Sequence, residues 1–201
     1  MNFLKKKYRR TTDEKLIALI IKNNPSAFNE LYNRYSKRIL NYFYRMLNDE
    51  EKAQDFLQDI FLKIIKSSCK FDGKRKFSAW IFTIANNMCK NEYRRMTNFQ
   101  KFQKKINIRQ EIRKEINQDH QIQNFYFMRR LSECLSEISE QKRSTFLLRF
   151  QEGFSIKEIA EIMGCPVGTV KSRLFQIVKE LSKKLSDSNL SFEDTNYSRL
   201  L

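Results

Sequence analysis

Glycine and proline are scarce, 4 and 2 among 201 residues. An all-β fold needs many tight turns, and turns draw heavily on those two residues. Their scarcity, together with an abundance of Lys, Leu, Ile, Glu, Gln and Arg, points to helix throughout. Histidine occurs once, as His120 in a polar stretch, which removes histidine-built metal cages and most nucleophile–His–acid triads. The four cysteines, Cys69, Cys89, Cys134 and Cys165, lie far apart with no C-x-x-C pair. Neither a disulfide framework nor a zinc site is indicated, and a reducing cytosol is the simple inference. No apolar run approaches membrane-spanning length. The basic opening MNFLKKKYRR is followed only by the short segment Leu16 to Ile21 behind Asp13 and Glu14, a pattern that fails as a signal peptide. The expectation is a cytoplasmic chain that is not itself a membrane protein and that uses no cofactor and no metal.

What the chain has in excess is positive charge. Lys plus Arg number 39 against 23 Asp plus Glu, a formal net charge of +16. Such an excess concentrates polyanions around the protein, with nucleic acid as the leading partner class and an anionic membrane surface as the alternative.

Apolar residues recur at helical spacing from Asp13 to Arg95, as in Phe28, Leu31, Tyr32, Tyr35 and then Ile39, Tyr42, Phe43, Met46. Asn24 before Pro25 suits a helix start. A second helix is predicted after Asn48, whose side chain can cap it, with Asp49, Glu50 and Glu51 complementing the helix dipole. Its apolar stripe is Ala53, Phe56, Leu57, Ile60, Phe61 and Ile64. After a turn at Asp72 and Gly73, a third helix carries Phe77, Trp80, Ile81, Ile84, Ala85 and Met88 inward. Residues 96–124 are polar, with Ile108, Ile112 and Ile116 four apart, and read as a linker. A second block, 125–186, opens with Met128, Leu131, Leu135 and Ile138 on one face. Residues 1–12 and 187–201 read as a basic and a polar tail. The fold class is all-α, with two small helical domains joined by a polar linker.

Ser155-Ile-Lys-Glu158 is a capping box. Ile159, Ala160 and Met163 then face inward, Gly164 to Val167 make the turn, and Val167, Val170, Leu174, Val178 and Leu181 form the next buried stripe. The outer face keeps Thr169, Lys171, Ser172, Arg173, Phe175, Gln176 and Lys179. Lys171, Arg173 and Lys179 can reach phosphates, Ser172 and Gln176 can bond base edges, and Phe175 can touch a thymine methyl. An ordinary helical hairpin with a solvated basic face would carry the same pattern.

In the first block, Thr83, Asn87, Lys90, Asn91 and Arg94 share one helical face. Before them stands a loop with Phe71, Lys74, Arg75 and Phe77, an aromatic and cations suited to an unstacked base and its strand. Asp55, Gln58 and Asp59 form an acidic patch opposite the apolar stripe, a surface for a basic protein partner rather than DNA. A carboxylate metal site of a nucleic-acid-processing enzyme on Asp55 and Asp59 is the rival from another class.

Taken together, these segments resemble the extracytoplasmic-function branch of the sigma-70 family of RNA polymerase sigma factors. AFNELYNRYSKRILNYFYRML resembles the first helix pair, AQDFLQDIFLKII the polymerase-binding helix, and FDGKRKFSAWIFTIANNMCKNEYRR the melting and minus-ten segment. SIKEIAEIMGCPVGTVKSRLFQIVKEL resembles the minus-thirty-five reader. The resemblance implies region 2 over 13–95 and region 4 over 125–186. It implies no catalysis and three partners: core RNA polymerase through its largest-subunit coiled coil and its flap, promoter DNA, and an anti-sigma protein. It places Asp55, Gln58 and Asp59 on the polymerase, Phe71 at a flipped minus-ten base, and Asn87 at a base-reading position. Lys171, Ser172, Phe175 and Gln176 fall on the minus-thirty-five face, where Lys and Gln stand at positions that are Arg in many relatives. A helix-turn-helix regulator that binds an operator without polymerase would explain Ser155 to Leu181 but not the acidic patch or the Trp80 segment.

Overall fold

A computed structural model describes residues 8–104 and 131–186, and among them the regular structure is helical with no strand. In chain order the helices are α1 (Asp13–Ile21), α2 (Pro25–Leu47), α3 (Glu50–Ser67), α4 (Phe77–Lys104), α5 (residues 131–137), α6 (Glu140–Phe146), α7 (Ile156–Met163) and α8 (Val167–Ser186).

Local chemistry sets most of the boundaries. The Thr12 side chain caps α1, and the Asn24 amide oxygen accepts from the Ala27 N–H at 3.1 Å to start α2 behind Pro25. Asn48 does not cap the next helix as its sequence suggested. It ends α2 with φ +52°, and Asp49 caps α3 by accepting from the Lys52 N–H at 3.1 Å. Asparagine tolerates the left-handed region that closes a helix, so the two neighbouring residues divide the two tasks. The start of α4 is held from α1, where the Glu14 carboxylate accepts from the Phe77 N–H at 3.2 Å. α4 runs on past Arg95 through Lys104, because a polar, Gln- and Lys-rich stretch without Gly or Pro still favours helix.

α1 to α4 bury Leu16, Tyr35, Ile39, Tyr42, Phe43, Ile60, Phe77 and Phe82 almost completely. Edge-to-face ring pairs, such as Tyr42 with Phe82 at 5.5 Å and Phe43 with Phe56 at 5.3 Å, run through this core. In the C-terminal block α6 passes into a π turn, Leu147–Gln151, and Gly153 at φ +75° redirects the chain toward α7. The capping box of α7 is formed as read, with Ser155 and Glu158 each satisfying a backbone N–H. The buried stripe of α8 is Val170, Leu174, Ile177 and Leu181. Val167 is exposed and Val178 only half-buried, which corrects the sequence reading, and likewise Ile162 rather than Met163 is the buried residue at the end of α7.

The buried residues of the two blocks form one continuous cluster. The seam joins Phe82 to Phe154, ring centroids 5.2 Å apart, and Arg38 to Glu152 at 2.9 Å. Burial raises the Glu152 carboxyl above its ordinary value even though Arg38 acts to lower it. The Ser144 hydroxyl lies 2.9 Å from the Tyr42 hydroxyl and donates to the Asn86 amide oxygen at 2.8 Å. Asn86 is buried, and its amide oxygen is thereby satisfied, as a polar core group must be.

Candidate nucleic-acid and partner interfaces

α8 is the second helix of a helix-turn-helix. Its turn is fixed by Gly164 at φ +62° and by the Cys165 N–H, which donates to the Ala160 carbonyl at 3.0 Å. With Val170, Leu174, Ile177 and Leu181 turned inward, helical geometry turns Ser172, Phe175, Gln176 and Lys179 outward. Lys171, Ser172, Phe175, Gln176 and Lys179 are all exposed, and Phe175 is 71% exposed. An aromatic ring held in water on a helix whose apolar side is already satisfied has no packing purpose among the described residues. Thr169 and Arg173 differ, being half-buried, and Arg173 donates to the Gln141 side-chain oxygen at 2.6 Å.

The other polar face lies on α4. Asn87, Asn91 and Arg94 are exposed there, while Thr83 is half-buried and spends its hydroxyl on the Ala79 carbonyl at 2.8 Å. Lys90 is also half-buried and lines a cleft of about 170 Å³ between the two blocks, with Arg173 on its opposite wall. Glu140 projects toward this side of α4, and its carboxyl is raised by burial, an effect that Lys90 and Arg94 partly offset. The loop before α4 leaves Lys74 and Arg75 exposed, whereas Lys76 pairs across the seam with Glu158 at 2.9 Å. Phe71 is half-buried against Trp80 and Phe77, with ring centroids at 5.4 and 6.1 Å, so its ring rests in an aromatic cluster at the edge of the core.

On α3, Asp55, Gln58 and Asp59 are exposed along one face. The same face continues into Leu62 and Ile65, 52% and 47% exposed. Sequence reasoning assigned these two no role. The signal was present in their spacing of three and four from Asp59, Gln58 and Leu62, but it was masked by the apolar stripe on the other side.

A family model of sigma-70 region 2 matches residues 31–98, and a model of sigma-70 region 4 matches residues 128–181. The chain belongs to the sigma-70 family. The RNA polymerase sigma-H factor of Pseudomonas aeruginosa is 28% identical over 187 residues, covering 86% of this chain and 93% of its own. The ECF RNA polymerase sigma-E factor of Haemophilus influenzae is 28% identical, with 87% and 95% covered, and YlaC of Bacillus subtilis is 29% identical, with 81% and 94% covered. Within the family, the chain is a sigma factor of the extracytoplasmic-function branch and thus a transcription initiation factor. Its fold is shared with CnrH, solved in complex with the cytosolic domain of CnrY, at a TM-score of 0.66 and 22% identity over 87% of this chain and 97% of that one. It is shared also with RpoE of Bartonella quintana, solved with the anti-sigma factor NepR, at 0.63 and 23% over 79% and 96%. Among the described residues, no helix is long and apolar enough to cross a membrane.

Proposed function

We propose that this sigma factor binds core RNA polymerase through the α3 face, reads the minus-thirty-five element with α8 and the minus-ten element with α4, and itself catalyses no reaction. The observation that carries the minus-thirty-five assignment is the outward row of Ser172, Phe175 and Gln176, with Lys171 and Lys179 beside it, on the second helix of the helix-turn-helix. Short polar and amide side chains suit base edges, and the lysines suit phosphates on either side. For the minus-ten element, Asn87, Asn91 and Arg94 offer amide and guanidinium donors, and Lys74 and Arg75 hold the strand beside Phe71. Melting then consists of trapping an unpaired base against the half-buried Phe71 and Trp80 rings, which lowers the free energy of the opened strand relative to the duplex.

Asp55, Gln58 and Asp59, extended by Leu62 and Ile65, give the polymerase an acidic and apolar docking face that DNA phosphates avoid. Lys90 and Arg173 join the DNA-binding set when the cleft between the blocks opens. The proposed site of action is the cytoplasm. An anti-sigma protein is a further proposed partner, by analogy with the similar RpoE, which was solved with the anti-sigma factor NepR.

In vitro transcription with core polymerase, with and without this chain, on a genomic fragment library tests the reading. New starts that share two spaced upstream motifs support it. Tight duplex binding with no added starts would instead identify a regulator acting without polymerase.

A further inference from the structure

The cleft between the two blocks carries charge of both signs that its own walls leave unpaired. Lys90 of α4 and Glu140 of α6 both line it, one from each block. Each feels the other's charge, yet among the described residues neither stands in an ion pair. Glu140 Oε2 is buried with no hydrogen-bond partner, and burial raises the carboxyl above its ordinary value. A carboxylate in that condition costs free energy that a cation brought against it offsets. Asn86 lines the same cleft, and with its oxygen committed to Ser144 and Tyr42 its amide NH2 has no acceptor among the described residues. Arg173 adds a second positive charge, and the thioethers of Met46 and Met163 give an apolar, deformable wall.

This set selects a ligand by charge and by size. A phosphate would be opposed by Glu140, and a simple amine by Lys90 and Arg173. A molecule that carries both signs satisfies both walls. The volume of about 170 Å³ is close to that of an apolar cavity of about 150 Å³ that takes up benzene, which leaves room for about six to eight non-hydrogen atoms. Alanine and valine fall in that range, whereas a nucleotide or a peptide does not.

We propose that the cleft binds a small α-amino acid with a short apolar side chain, its ammonium on Glu140, its carboxylate on Lys90 and the Asn86 amide, and its side chain against Met46 and Met163. The ligand joins the two blocks, because Lys90, Asn86 and Met46 belong to one and Glu140 and Met163 to the other. It therefore favours the closed arrangement, in which Lys90 and Arg173 are withheld from DNA. The site stands on the cleft alone, whereas this consequence rests on the function proposed above.

Isothermal titration calorimetry of the full chain tests the site with L-alanine, L-valine, propionate and ethylamine, the last two being alanine without its ammonium and without its carboxylate. One-to-one binding of alanine or valine is expected, at least about tenfold tighter than either one-charge analogue. Glu140→Gln should weaken alanine to the level of propionate and Lys90→Gln to the level of ethylamine, while Lys90→Arg stays within about threefold of the parent. Circular dichroism checks that each variant keeps its helices, and the comparison of alanine with its analogues on the parent chain needs no variant. No binding at about 10 mM, propionate binding as tightly as alanine, or affinity unchanged in both glutamine variants would overturn the site. With alanine or valine at about a hundred times its Kd, promoter-directed transcription by core polymerase and this chain should fall by up to about a hundredfold. Transcription that is unchanged with the ligand bound would overturn the closure. Selective binding by a chain that directs no transcription would keep the site and refute the sigma-factor reading of its walls.

Discussion

Arg143, in the C-terminal block, donates through Nη1 to the main-chain oxygen of Met46 in the N-terminal block at 2.7 Å. The same guanidinium donates to the carbonyls of Leu135 and Ser136 at 2.7 Å each and to the Tyr93 hydroxyl at 2.7 Å. It therefore satisfies carbonyls at the end of α5, which has no helical partners left for them, and ties them across the seam to α2 and α4. Removing it orphans several buried acceptors at once. Arg143→Ala is expected to cost about 3 kcal/mol or more in urea unfolding, and Arg143→Lys to recover only part of that, since an ammonium lacks the planar fork that reaches several acceptors.

Ile177 and Phe175 are two residues apart on α8 with opposite fates, one fully buried and one 71% exposed. Ile177→Ala should lower stability by about 2–5 kcal/mol through the cavity it leaves. Phe175→Ala should leave the urea midpoint within about 0.5 kcal/mol of the parent in stability. It should nevertheless weaken promoter-directed transcription about tenfold, the loss of a single good contact with a base. Unfolding curves and run-off transcription on the same preparations separate the two effects.

Reversing the charge on α3 tests the polymerase face. Asp55→Arg with Asp59→Arg changes only exposed positions, so the helical circular dichroism should stay as it is. Binding to core polymerase should fall by about a hundredfold or more, because like charges brought together at an interface cost several kcal/mol. Native gel shift with labelled chain reads the difference directly.

Glu158 carries an acid-dependent contribution. Hydrogen bonds from the Ser155 backbone, then from Lys76 and the Ser155 hydroxyl, lower its carboxyl to about 2. An unfolded glutamate titrates near about 4.3. The folded state thus binds this proton more weakly than the unfolded state, and the contribution is complete above the unfolded value. It fades as pH falls from there through the folded value. The Glu158 side chain is half-buried but its Lys76 partner is 74% exposed and screened by solvent, so the effect is modest. Glu158→Gln should be less stable than the parent at pH 6, with the gap closing as pH falls toward about 2 in thermal scans taken at a series of pH values.

The chemistry of α7 was legible from sequence because a capping box is local, with Ser155 and Glu158 three residues apart. The acidic patch on α3 was legible because helical period alone puts Asp55, Gln58 and Asp59 together. Ile177 was missed in favour of Val178 because both continue an apolar stripe, and only packing against α6 and α7 decides which one lies at its centre. Asn48 and Asp49 are both good caps, and their division of labour depends on which one takes positive φ. The seam was not legible at all. Tyr42, Asn86 and Ser144 are ordinary helix residues in sequence, and nothing local marks Ser144 as the partner of a tyrosine 102 positions earlier. The half-burial of Lys90 follows from that seam and that of Arg173 from its contact with Gln141 on α6, and so both lay beyond reach.

The seam also sets an order of events on the ribosome. Its bridges join residues from 50 to 114 positions apart, and most of them wait for the last helices to be made. Synthesis at about 5–20 residues per second delivers Tyr42 about 5–20 s before Ser144. In that interval the nascent N-terminal block has no Phe154 to cover the Phe82 ring and no Arg143 to meet the Met46 carbonyl. A partly finished chain therefore presents an apolar stripe bordered by polar groups that still lack their cross-seam partners, which is the kind of surface that nascent-chain chaperones hold until the last helices emerge.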